Sequence, residues 1–318
     1  MPLSEFGLID AYFRDVGARA DVRTGVGDDG AVLMPPPGQD LVAVVDTLVE
    51  GVHFPAGSDA RSIGHRALAV NLSDIAAMGA TPAWALLALT LPRADESWLA
   101  AFTRGFGELA RAHGVQLVGG DTTSGPLSVT VQVLGFVPQR QALLRTGARA
   151  GDIVHVTGTP GEAACGLALL QGHEPRVDAP AAAIEGLRQR FLFPQPRADI
   201  GLRLVGIASA CIDISDGLAG DLAKLAQASH CGAEIDHALL PLSDALRACV
   251  GDDAAGQYAL TGGDDYELCF TVPPARLGAL AGLPCTAIGR IVEAPGLRLR
   301  RGDNVIEFSH SGFDHFRV

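Results

Sequence analysis

Apolar side chains recur at helical spacing near 4–16, and the unbroken apolar run Leu41-Val42-Ala43-Val44-Val45 then replaces that period and reads as a strand. A long helical pattern covers about 60–78. The next strand, 84–91, lies between Pro82 and Pro92, after which Asp95 and Glu96 open a helix that ends before Gly114. Strands over 115–118 and 127–137 complete this half. Residues 138–151 hold Arg, Gln, Gly and Ala without clear period and mark a domain junction, dividing the chain into 1–138 and 139–318.

The second half opens with strand 153–156 and passes through helices near 161–171, 181–192 and 197–209 to a short strand at 210–214. A helix over 217–229 follows, then strands near 233–236, 267–272, 285–292 and 297–308 with one or two helices between them. This order predicts a mixed α/β fold in each half, with no internal repeat. A length of 318 residues agrees with two domains of about 150 residues each.

Composition sharpens the picture. Apolar residues make up 48% and charged residues 19%, which excludes a disordered chain. The formal net charge is −12, and the acids comprise 25 Asp against 11 Glu. Asp belongs in turns, caps and oxygen-ligand metal sites more than on helix surfaces. Lys224 is the sole lysine beside 23 Arg, and no G-x-x-x-x-G-K-[ST] loop exists. Without a basic stripe, a negative chain repels nucleic acid and points to small-molecule partners. Gly158-Thr159-Pro160-Gly161 has the look of a phosphate-binding strand-to-helix turn, although such a segment is more often an ordinary βα loop. The six cysteines lie far apart without a C-x-x-C pair and read as core thiols. No secretory leader pattern or membrane-length apolar run is visible, which predicts a cytoplasmic address.

The aspartates fall in short segments with Gly or small polar residues: Gly-Asp-Asp-Gly at 27–30, Asp46 at the end of an apolar strand, Asp74, Gly-Gly-Asp at 119–121, Asp213 and Asp216, and Asp264-Asp265. Asp213 and Asp216 also suit an N-cap, and Asp28-Asp29 a simple turn. Asp74, three residues after Asn71, lies either on a solvated stripe or on a functional face. Asp46 is costly to bury without a partner. Carboxylates that converge repel unless cations neutralise them, and oxygen ligands without His or Cys favour Mg²⁺, Mn²⁺ or Ca²⁺.

In order and spacing, segments 25–29 (GVGDD), 46–54 (DTLVEGVHF), 71–80 (NLSDIAAMGA), 119–123 (GGDTT), 213–218 (DISDGL), 262–268 (GGDDYEL) and 312–316 (GFDHF) resemble the thiamine-monophosphate kinases, within the aminoimidazole-ribonucleotide-synthetase-like ATP-binding superfamily. The resemblance implies a two-domain α/β (mixed α+β) fold. Its N-terminal domain would bind ATP and magnesium and meet a partner in a homodimer, and a C-terminal α/β domain would follow. The implied activity is transfer of the ATP γ-phosphoryl group to thiamine monophosphate. It places several Mg²⁺ ions at Asp29, Asp46, Asp74, Asp121, Asp213 and Asp216, with Asp74, Asp46 and Asp121 central to catalysis. ATP falls to Gly120, Asp121, Arg145 and Ser215, and thiamine phosphate to His53, Asp264 and Phe313. Two departures stand out: Val44 and Val45 replace residues that are commonly hydroxylic, and Asp264 replaces a frequent Glu.

Related enzymes use the same ATP cradle on other acceptors, among them aminoimidazole ribonucleotide synthetase, selenophosphate synthetase and the hydrogenase-maturation dehydratase. The first cysteine here is Cys165 and the last residues are DHFRV, which fit neither the N-terminal Cys and Lys of selenophosphate synthetase nor the C-terminal Cys of the hydrogenase protein. A non-enzymatic cation-binding protein is the other alternative, and it would bind metal without turning over ATP.

Overall fold

The computed structural model describes residues 5–308. The chain divides into two compact units, Met1–Ile75 with Ala80–Arg140 and Ala76–Gly79 with Gln141–Val318. In chain order the first unit holds α1 (Glu5–Tyr12), β1 (Val22–Thr24), β2 (Val32–Leu33), β3 (Gln39–Val49), most of α2 (Ala60–Ala77), β4 (Thr81–Leu91), α3 (Glu96–Ala112), β5 (Gln116–Ser124) and β6 (Ser128–Pro138). The main sheet has the order β3-β6-β4-β5, with β4 and β5 parallel and the other pairs antiparallel.

Alternation along β3 separates the two faces of this sheet. Val42 and Leu48 are buried, whereas Leu41 and Val45 are more than half exposed. On the buried side Val129, Val131 and Val133 of β6 lose all contact with solvent. Ile75 of α2 also reaches that side, since a Cβ on Gly135 of β6 would sit 3.2 Å from its Cδ1. The strands expected over 84–91 and 127–137 are the two central ones, and the edges belong to β3 and β5.

Helices α2 and α3 touch backbone to backbone. A Cβ added to Gly64 would lie 2.1 Å from the Phe102 carbonyl oxygen, and one on Gly105 would lie 1.9 Å from that of Arg61. Asp95 caps α3 as predicted, its Oδ1 accepting from the N–H groups of Ser97 and Trp98.

The second unit continues with β7 (Ile153–Thr157), α4 (Glu162–Leu170), α5 (Ala181–Leu192), α6 (Ala198–Leu204), β8 (Ala210–Asp213), α7 (Leu218–Ala228), β9 (Gly232–Asp236), α8 (Asp244–Val250), α9 (Asp252–Thr261), β10 (Leu268–Val272), β11 (Cys285–Val292), β12 (Gly296–Arg301) and β13 (Asn304–Glu307). Its seven strands run β13-β12-β9-β11-β7-β10-β8 and are antiparallel except for the β9/β12 pair. Val154, Ile212, Leu222, Ile235 and Ile291 share one buried cluster beneath α7.

Several elements differ from their sequence pattern, each for a local reason. The helix expected over 4–16 ends at Tyr12, and the chain then turns through Gly17, whose added Cβ would lie 2.2 Å from the Val115 carbonyl oxygen. The helix expected over 197–209 stops at Leu204, two residues before Gly206 enters the left-handed region at φ 76°. The strand read over 297–308 is a hairpin turning at Gly302, φ 58°. Pro82 falls inside β4, at a register shift with β6 where one ladder bond is already interrupted. Among the described residues no helix is long and apolar enough to cross a membrane.

The α2/α3 contact yields a direct test. Gly105→Ala is expected to lower the free energy of urea unfolding by about 1–3 kcal/mol, the usual cost of overpacking, because the obstacle is backbone and not a movable side chain.

Candidate active site

In the first unit, β5 continues through Gly119-Gly120-Asp121 instead of ending at Val118 as the glycines suggest. These glycines admit a close neighbour: a Cβ on Gly120 would sit 1.8 Å from the Leu87 carbonyl oxygen of β4. The arrangement carries Asp121 to a cleft of about 1030 Å³, lined also by Arg14, Asp28, Asp29, Val45 and Gln132. At its rim the Asp29 N–H donates to Asp28 Oδ1 at 2.8 Å, so the GDDG segment is a side-chain-braced turn.

Because Val45 faces that cleft, its neighbour Asp46 turns to the opposite face of β3. There it meets α2, where the carboxyl groups of Asp46 and Asp74 are hydrogen bonded to each other. Burial pushes Asp46 above the usual carboxylate range, and the Asp74 contact opposes this only in part. Asp29 and Asp121 thus share the cleft while Asp46 and Asp74 share the helix side. Among the described residues no group of three or more His, Cys, Asp or Glu is arranged to hold a metal. A pair still fits Mg²⁺, which binds through one or two carboxylates and completes its shell with water and substrate phosphate instead of an all-protein cage. Two touching carboxylates have the donor type and charge for a hard cation, and without one they must share a proton.

His53 closes the turn after β3. The Val49 N–H donates to its Nδ1 at 3.0 Å, so the ring proton sits on Nε2 and that nitrogen is a donor.

In the second unit, buried Asp213 ends β8 opposite Leu268 of β10. The next turn is held from both sides. Asp221 Oδ2 accepts from the Ser215 and Asp216 N–H groups, each at 3.0 Å, while the Ile214 and Ser215 carbonyls accept from the Tyr266 and Asp264 N–H groups at 2.9 Å. Lys224 Nζ bridges Asp216 Oδ2 at 2.5 Å and Asp221 Oδ1 at 2.8 Å. Burial alone would lower Lys224, but these two carboxylates outweigh it and raise its pKa, so the ammonium stays charged. Asp264 and Tyr266 both adopt left-handed backbone, φ 66° and 53°, and the Tyr266 hydroxyl donates to Asp264 Oδ1 at 3.0 Å. Arg145 is exposed, its carbonyl accepting from Ser229 Oγ at 3.0 Å. Phe313 lies outside the described residues.

Three carboxylates that the sequence left without an assigned role complete this framework. Asp221 is described above. Asp265 accepts from the Gly161 and Ala163 N–H groups at 2.6 and 3.1 Å, so an internal carboxyl group fills the Gly158–Gly161 turn that has the look of a phosphate site. Burial drives Asp265 well above its ordinary pKa. Glu267 takes Arg197 through two bonds of 2.7 and 2.5 Å, Arg190 at 2.8 Å and the Thr157 hydroxyl at 2.5 Å. Burial pushes Glu267 up, yet the Arg197 bonds and charge outweigh it and leave the carboxyl below its usual range. The available signal was the second Asp and the Glu of GGDDYEL.

Comparison with known proteins places this arrangement. Residues 27–137 match the AIR synthase related protein N-terminal domain, and residues 149–302 match the corresponding C-terminal domain. These matches and the two α/β units define the class as AIR-synthase-related proteins. The chain is 48% identical to the thiamine-monophosphate kinase of Escherichia coli (strain K12), covering 99% of each, and 36% identical to that of Bacillus subtilis (strain 168), covering 99% of the chain and 100% of that protein. Among solved structures, the thiamine-monophosphate kinase of Stenotrophomonas maltophilia K279a superposes with TM-score 0.84 at 47% identity, over 94% of this chain and 97% of that one. AaThiL complexed with AMPPCP and TMP superposes with TM-score 0.80 at 34% identity, over 99% of both chains. The chain belongs to the thiamine-monophosphate kinase family.

The Asp46–Asp74 contact has a signed consequence for stability. An acid whose folded pKa is raised costs the folded state stability above that pKa, and the cost vanishes as pH falls into the ordinary carboxylate range. In chelator-treated buffer, Asp46→Asn is therefore expected to melt above wild type near neutral pH, with the difference shrinking on acidification; calorimetry across pH reads it.

Proposed function

We propose that this chain is a phosphotransferase that moves the γ-phosphoryl group of ATP in line onto thiamine monophosphate, giving thiamine diphosphate and ADP. The observation that carries this reading is the Asp46–Asp74 carboxyl contact in a protein of net charge −12. Both substrates are anions, and a carboxylate pair serves them only with a cation between. Family membership supplies the substrate class, and the relative AaThiL is complexed with AMPPCP and TMP.

Asp29, Asp46, Asp74, Asp121, Asp213 and Asp216 are assigned to hold Mg²⁺. When bound, Mg²⁺ neutralises phosphate charge and offsets the negative charge of these carboxylates. Gly120, Asp121, Arg145 and Ser215 are assigned to ATP. His53 offers an Nε2–H donor to the acceptor substrate, with Asp264 and Phe313 beside it in role. The acceptor oxygen belongs to a phosphate monoester whose second pKa is about 6, so it is already largely deprotonated at neutral pH. No general base is required. That oxygen attacks the γ-phosphorus as the bond to the β-phosphate oxygen breaks, and ADP leaves.

We further assign residues 1–138 to ATP, Mg²⁺ binding and dimerisation and 139–318 to the C-terminal α/β domain. A homodimer is supported by the edge position of β3 and the exposure of Leu41 and Val45 on the open face of its sheet. The six free cysteines, most of them buried, suit a cytoplasmic setting.

Chromatography after incubation with MgATP and thiamine monophosphate is expected to show thiamine diphosphate, with thiamine itself a poor acceptor. Preferential turnover of thiamine would overturn the substrate assignment. Asp74→Asn is expected to cut turnover by about a hundredfold or more with the circular dichroism spectrum unchanged.

A further inference from the structure

The sole lysine of the chain has a placement that phosphate chemistry by itself does not require. Lys224 sits on α7 one turn after Asp221, and its ammonium touches both that buried carboxylate and Asp216 of the preceding turn. The Asp221 side chain is 1% exposed, that of Asp216 30% and that of Lys224 37%. Asp221 directs Oδ2 at two successive backbone N–H groups and Oδ1 at Lys224, so a single buried carboxylate fixes both the course of the 215–216 turn and the ammonium. Gly217 makes the turn possible, with φ 112° and a virtual Cβ 2.9 Å from the Thr261 backbone.

We propose that Asp221 and Lys224 form a positioning clamp for the nucleotide, in which Lys224 is a built-in cation that orients the Asp216 carboxylate. The proposal rests on the assignment of Ser215 and Asp216 to ATP and its metal. Lys224 holds Asp216 Oδ2, which leaves a carboxylate with one oxygen already committed and a fixed direction for the other. Orientation of this kind is what a carboxylate ligand lacks when its side chain rotates without restraint. The clamp acts through Asp216 and not on the acceptor, so its loss falls on the ATP side of the reaction.

Steady-state kinetics on full-length Lys224→Met test this. The KM for MgATP is expected to rise about tenfold, the scale of one lost charge-assisted hydrogen bond, while the KM for thiamine monophosphate stays within about twofold. Lys224→Arg, which keeps the charge, is expected to restore most of the loss. Calorimetric binding of AMPPCP with Mg²⁺ should weaken in parallel, and this readout does not depend on the acceptor. If wild type binds AMPPCP but fails to convert thiamine monophosphate, the substrate assignment falls and the binding comparison still decides the clamp. An unchanged AMPPCP affinity in a folded Lys224→Met protein, or equal rises in both KM values, would overturn it. Asp221→Asn provides a second variant, expected to weaken AMPPCP binding at least as much as Lys224→Met; unaltered binding there also counts against the clamp.

Discussion

Two carboxyl groups in contact, Asp46 on β3 and Asp74 on α2, set the terms for the first unit. Burial of the pair is costly, and the hydrogen bond between the two carboxyl groups offsets that cost only in part. Such an arrangement survives only where the surrounding structure enforces it. Here α2 is held to α3 by backbone contact at Gly64 and Gly105, while the inner face of β6 packs below it, so Asp74 has little freedom to retreat from the strand. The cost is one of local burial, and we assign a divalent cation to relieve it.

The second unit treats its acids in the opposite way. Asp221, Asp265 and Glu267 are each nearly or fully buried, and each is answered from within the chain: by backbone N–H groups and Lys224, by the start of α4, and by Arg190 with Arg197. These are framework carboxylates. They hold the turns that present Ser215, Asp216 and Asp264, and a backbone ladder between Ile214-Ser215 and Asp264-Tyr266 ties the two segments into one piece. The contrast separates acids that build the site from acids assigned to bind a ligand, a distinction that net charge alone conceals.

Much of this was legible in the sequence. Apolar period and capping signals located α3, whose buried residues follow one face, and continuous apolar runs located β7, β8 and β10, which are buried on both faces. Where glycine served packing instead of turning, the reading failed: β5 runs on through Gly119 and Gly120, and the Leu87 carbonyl occupies the place of Gly120's missing Cβ. The motif aspartates were visible as a group, but their separation onto two faces of the sheet depends on strand alternation next to Val45, which no motif records. Asp221, Asp265 and Glu267 received no role from the sequence because the backbone and side-chain groups they hold lie in other turns and strands, up to 110 residues away.

The central claim is that the Asp46–Asp74 pair binds a cation, and calorimetric titration of Mg²⁺ into chelator-treated protein with AMPPCP present tests it most directly. Wild type is expected to take up Mg²⁺ with at least about tenfold higher affinity than folded Asp74→Asn, the loss that follows from removing one charged ligand. Equal Mg²⁺ affinity in the two proteins would contradict the assignment of this pair to metal.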